Sequence, residues 1–149
     1  MSSFVFTTLT SSPELMQVES ACLGVDADNK LTDNDIGKAV KLATGNNFVL
    51  CATTNEIEGI LMAVSPETYN DGFAFGSVAR RGRFEATVGT NEAGTVDVGE
   101  LVVADTQAAI DTEGGLVVMA GSPTTFLWRC IRIISGTGAT GDTVLIERV

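Results

Sequence analysis

Asp35-Ile36-Gly37-Lys38-Ala39-Val40 and Asp97-Val98-Gly99-Glu100-Leu101-Val102 carry one pattern in the two halves of the chain. In each, an acid, an apolar residue and a glycine lead into an apolar run. An Asp bonded to its own backbone and a Gly at positive φ make ordinary turn chemistry. Two such turns in the same order point instead to a duplication. Each is followed by a second strand and a strongly apolar third, residues 59–64 in the first half and 129–134 in the second. Both halves then reach a glycine-marked loop, 72–76 and 136–141, and close on a strand ending near Val88 and Val149.

The expected strands are 39–42, 48–52, 59–64, 83–88, 101–103, 116–119, 126–134 and 143–148. They are rich in Val, Ile, Thr and Phe, and turn signals separate them about every ten residues, as in short-stranded β proteins. The expected fold is all-β, a β-barrel or jelly-roll-like sandwich built from two similar β-units with an N-terminal arm. Residues 1–30 form that arm or a short helix; 31–149 form a single β-domain, with repeat units of about 31–90 and 91–149. A helix over residues 12–21 has Ser12 as cap, Pro13 at its first position and Glu14 at the positive end of the dipole. A flexible arm accounts for Ser11-Ser12-Pro13 equally well.

The chain has 149 residues, 44% of them hydrophobic and 19% charged, a composition that folds rather than staying disordered. Nine Lys and Arg against 19 Asp and Glu give a net charge of −10, which repels nucleic acid and anionic membrane surfaces. The first cationic side chain is Lys30 and no apolar run has the length of a membrane span, so a cytosolic origin is expected. Cys22, Cys51 and Cys130 are odd in number, lack metal-ligand spacing and lie in apolar stretches, as buried reduced thiols do.

No histidine is present, which removes the commonest general base and every Ser-His or Cys-His pair. Gly136-Thr137-Gly138-Ala139-Thr140-Gly141 spells a dinucleotide-binding fingerprint, but a strand rather than a helix follows, so a flexible hairpin loop is expected. Asp26-Ala27-Asp28-Asn29-Lys30-Leu31 opens like a calcium loop, yet Lys30 and Leu31 stand where an oxygen ligand and a glycine belong. Glu56 and Glu58 flank Ile57, an alternation that places both carboxylates on one strand face, with Ile57 in the core. No catalytic, metal or cofactor residue is assigned.

Arg80-Arg81-Gly82-Arg83 concentrates three of the nine cations and reads either as a solvated loop or as an anchor on an acidic partner. Phe4 and Phe6 alternate with smaller residues in a first core strand or an apolar arm. The candidate partner-binding residues are therefore Arg80, Arg81, Arg83, Phe4 and Phe6. Trp128 lies among Phe126, Leu127 and Cys130, where core packing is favoured over a ligand platform.

The run Val98-Gly99-Glu100-Leu101-Val102-Val103-Ala104-Asp105, followed later by Gly138-Ala139-Thr140-Gly141-Asp142-Thr143-Val144-Leu145-Ile146-Glu147, resembles the decoration or cement proteins of tailed-phage capsids. The resemblance covers about residues 35–149. It implies a barrel or jelly-roll-like body that forms a homo-oligomer, a dimer or trimer, and binds the major capsid protein on the outside of the head. Such a protein is a structural component of the virion, made in the host cytoplasm, with no enzymatic activity and no cofactor. The competing expectations are a receptor- or carbohydrate-binding β-module using Trp128 and Tyr69, and an enzyme working through Glu56, Glu58, Asp26 and Asp28.

Overall fold

The computed structural model describes residues 17–23, 30–43, 47–68 and 74–149. Over these residues it is all-β, as expected, with ten strands: β1 Gln17–Leu23, β2 Ala39–Leu42, β3 Phe48–Leu50, β4 Gly59–Thr68, β5 Ala74–Arg81, β6 Arg83–Val88, β7 Leu101–Ala104, β8 Val117–Ala120, β9 Trp128–Ile133 and β10 Thr143–Arg148. The one helical element among the described residues is a 3₁₀ turn, Asp33–Asp35, capped by Thr32. No helix among them is long and apolar enough to cross a membrane.

The strands close into two five-stranded barrels, β1-β3-β2-β4-β5 and β6-β8-β7-β9-β10, with the same strand order. In each, the first and third strands run parallel, β1 beside β3 and β6 beside β8, while the other pairs are antiparallel. The duplication extends to single hydrogen bonds. Gly37 N–H donates to Leu61 O and Gly99 N–H to Cys130 O, both at 2.7 Å. Leu61 N–H meets Lys38 O at 3.0 Å where Cys130 N–H meets Glu100 O at 2.9 Å. Gly37 and Gly99 have φ of 95° and 89°, the left-handed turn that L side chains resist.

Each unit thus closes on itself, and the two do not share one barrel. The units also divide at Gly82, one strand earlier than a boundary near residue 90, because β6 pairs with β8 and β10. The last strand of the first barrel is instead β5, whose small residues hide a strand pattern. A Cβ at Gly76 would come within 2.2 Å of Ala63 O, so the close β4–β5 approach requires glycine there. Residues 17–23, expected in an arm or helix, form β1 and pair along β5 from Gln17 opposite Arg81 to Leu23 opposite Ala74.

The first barrel is filled by Leu23, Val40, Phe48, Leu61 and Val78. A larger cluster fills the second with Val88, Val102, Val118, Trp128, Val144 and Ile146, and continues through Phe84 into Ile36, Ile60 and Met62 of the first unit. The barrels are therefore fused by shared apolar burial. Polar bonds add to it: Thr54 N–H donates to Ala104 O, and Ala104 N–H to Asn55 O, each at 2.9 Å.

Cys51 and Cys130 are free and buried. Burial pushes the Cys51 thiol up to about 12, against the charge of Lys41, and pushes Cys130 up as well. Both are expected to react slowly with a thiol reagent in the native protein and quickly in urea. Rapid labelling of the two without denaturant would contradict this placement. Cys22 stands in β1, and its side chain lies outside the described residues.

Candidate functional site

Chain direction concentrates positive charge where the barrels meet. Arg80 and Arg81 end β5, the buried Gly82 turns the chain at φ 136°, and Arg83 starts β6. The stretch is a strand-to-strand seam with a one-residue joint, and not the loop expected from its composition. Two further arginines reach the same seam through β9 and β10, whose register sets Glu147 opposite Arg129 and Arg148 opposite Trp128.

Arg83 Nε lies 3.2 Å from Glu147 Oε1, and Arg129 Nη2 lies 3.9 Å from Glu147 Oε2. Arg148 Nη1 donates to Arg80 O at 3.1 Å, while its guanidinium lies 5.2 Å from the centre of the Phe126 ring and 6.0 Å from that of Trp128. Partial burial, then the charges of Arg80 and Arg81, pull Arg148 below its ordinary value, with Glu58 opposing them. Five guanidinium groups are thus gathered on a chain whose net charge is −10. A guanidinium presents a planar fork of donors that matches a carboxylate, so the seam suits an acidic protein surface.

Phe4 and Phe6 lie outside the described residues, as do Tyr69 and the acidic pair Asp26 and Asp28. Trp128 is 0% exposed and donates its indole N–H to Ile57 O at 2.9 Å, so it belongs to the core and offers no stacking face to a sugar.

The other sequence motifs also resolve into structure. In the connection from β9 to β10, Asp142 Oδ2 accepts from Thr137 N–H at 2.9 Å and Ala139 N–H at 3.1 Å. Backbone donors that a phosphate would need are occupied by this carboxylate. The loop is further tied to β6 by Gly141 N–H donating to Val88 O at 2.8 Å, which leaves it anchored rather than free.

Glu56 and Glu58 precede β4 in irregular backbone and share no strand face, although Ile57 between them is fully buried. The Glu56 carboxylate accepts from Thr124, Thr125 and Phe126 N–H at 2.6, 3.0 and 2.9 Å, which clips the first unit onto the turn before β9. These bonds, led by Thr124, hold its carboxyl down from 4.5 to about 2 against a weaker desolvation. A depressed pKa stabilises the fold above the unfolded value and is lost as pH falls. Glu56→Gln is expected to cost about 1–2 kcal/mol at neutral pH, a modest figure because water screens the site. The gap from the parent should close as pH falls from 4.5 to about 2, read by urea melts at several pH values. A gap independent of pH would assign the cost to something other than the charge.

Asp105 is fully buried; desolvation works to raise it, but bonds from Asn91 and Thr106 together win and hold it below its ordinary value. It too holds backbone, accepting from Asn91 N–H at 2.9 Å and Thr106 N–H at 2.6 Å. Among the described residues, no three His, Cys, Asp or Glu side chains gather as metal ligands would.

No protein family, curated protein or solved structure matches this chain.

Proposed function

We propose that this chain is a capsid decoration protein, a structural protein that binds the outside of a tailed-phage head and stabilises it. The observation that carries this reading is the arginine seam, five guanidinium groups brought close together where two like barrels join on an otherwise acidic protein, with Arg83, Arg129 and Arg148 braced within the chain. Such a seam recognises carboxylates on a partner, here the major capsid protein, while the remaining negative surface keeps the unbound protein soluble. Two barrels of one topology also offer similar faces to two neighbouring capsid subunits, which a bridging protein requires. Assembly into a dimer or trimer belongs to the same proposal.

The test is binding to undecorated heads of the phage that carries this gene. Arg83 is best left in place, because a carboxylate there would face Glu147 and weaken the free protein. Replacing Arg80 and Arg81 together by Glu is expected to weaken attachment by about 2–5 kcal/mol if both are desolvated at the contact, and by about 1 kcal/mol or less if they lie at its rim. Unchanged binding by a variant that keeps the parent circular dichroism spectrum would remove the seam from the interface. No binding of the parent at any salt concentration would end the proposal.

A further inference from the structure

A cleft of about 420 Å³ opens between the barrels. Its lining follows β6 from Phe84 to Thr87 and ends at Thr143, the first residue of β10. Arg83 directly precedes Phe84 in β6, while Arg148 stands at the far end of β10 from Thr143.

The floor is apolar. Ile60, Met62, Phe84 and Leu116 line it, none of them more than 7% exposed. The polar lining includes three carboxylates, Asp33 and Glu113 at the surface and Glu85 half-buried, and no Lys or Arg. None of the three is paired with a cation among the described residues. The carboxylates come from different elements, the 3₁₀ turn, β6 and the loop before β8, and converge only because the barrels are fused. A volume of this size falls within the range of small-ligand pockets, about 300–1,000 Å³.

An apolar floor favours a large apolar group, and lining carboxylates favour a cation beside it and reject an anion. A dry hydrocarbon would leave the carboxylates unused, and a simple cation would leave the floor unused. We infer that the cleft is a docking site for a basic segment of a partner protein, with one large apolar side chain between the barrels and flanking Lys or Arg meeting Asp33, Glu85 and Glu113. This goes beyond the arginine seam, which takes an acidic surface, and it stands whether or not the partner is a capsid. The fused barrels then present two contacts of opposite sign.

The probe is an acetylated, amidated peptide of sequence Lys-Leu-Lys-Phe-Lys, titrated into the ¹⁵N-labelled protein. Counterparts carry Gln or Glu in place of every Lys. The basic peptide should give saturable shifts at the Gly37, Met62, Ala86, Gly114, Gly115 and Thr143 amides, weaken as salt is added, and outcompete the Gln peptide. Glu85→Gln with Glu113→Gln should raise its Kd roughly tenfold, in line with the loss of two partly screened charge contacts. Gly115→Leu should block it, since a Cβ at Gly115 meets no atom within 4 Å and the fold has room for the side chain. The inference fails if the basic peptide gives no saturable shifts, if they centre on Arg83 and Arg148, or if the Glu peptide binds equally well. It fails too if the double variant, folded by its spectrum, binds as tightly as the parent.

Discussion

Replacing Lys38 by Met is expected to lower the unfolding free energy by about 3–5 kcal/mol, the usual cost of leaving one member of a buried ion pair alone. Lys38 and Asp35 are both 0% exposed, with Nζ 2.6 Å from Asp35 Oδ1. The ammonium also donates to Ala109 O at 3.0 Å and Thr112 O at 2.6 Å, in the loop between β7 and β8 of the second barrel. Asp35 in turn accepts from Thr32 N–H at 2.8 Å and from Asp111 N–H at 3.0 Å. Asp111 holds φ at 61°, and its side chain accepts from Thr32 Oγ1 at 2.6 Å. No described buried side-chain N or O atom lacks a partner.

Removing the ammonium exposes a buried carboxylate to its own desolvation and frees the two carbonyls that hold the loop. Equilibrium urea denaturation of the parent, Lys38→Met, Asp35→Leu and the double variant measures this. The double variant is expected to lose less than the sum of the single losses, because the charges are coupled. Simple addition, or a Lys38→Met loss below about 1 kcal/mol, would show that the pair is not desolvated as the geometry requires.

Trp128→Ala is expected to cost a similar amount, about 3–5 kcal/mol, through the cavity left at the centre of the second barrel. The indole is fully buried, and its ring centre lies 6.0 Å from that of Phe84, with the planes tilted by 56°. Its N–H is also the partner of Ile57 O, a carbonyl from the first unit. Trp128→Phe keeps most of the volume and removes that bond, so it should cost about 1–3 kcal/mol, the desolvation of one unpaired carbonyl. Comparing the two variants by urea melts separates packing from hydrogen bonding. Equal losses for Ala and Phe would place the energy in the bond rather than in the cavity.

The seam and the core differ in how far they could be read from residues alone. Arg80, Arg81 and Arg83 stand together in the chain, so their charge density was plain against an acidic background. Arg129 and Arg148 lie in separate strands with no local signal, and only β9–β10 pairing brings them to the others. Glu56 looked like half of an acid pair, because alternation around Ile57 mimics a strand. Its three backbone donors lie beyond residue 120 and give no hint near position 56.

The all-β class, most strand positions and the duplication are legible in the residues. Turn chemistry at Asp35-Ile36-Gly37 and Asp97-Val98-Gly99, together with the apolar strands that follow, acts over a few residues and leaves a local imprint. Trp128 in the core was legible for the same reason, since alternation within one strand chooses its face. Long-range pairing sets the rest: each unit closes into its own barrel, β1 and β5 complete the first, and the units divide at Gly82. The same contacts bury Lys38 and Asp35. The turn holding them is as polar as an exposed one, and the β7–β8 loop that covers it comes from the other barrel. Closure, burial of charge and convergence of the arginines depend on contacts between distant residues, whose register no single stretch of the chain encodes.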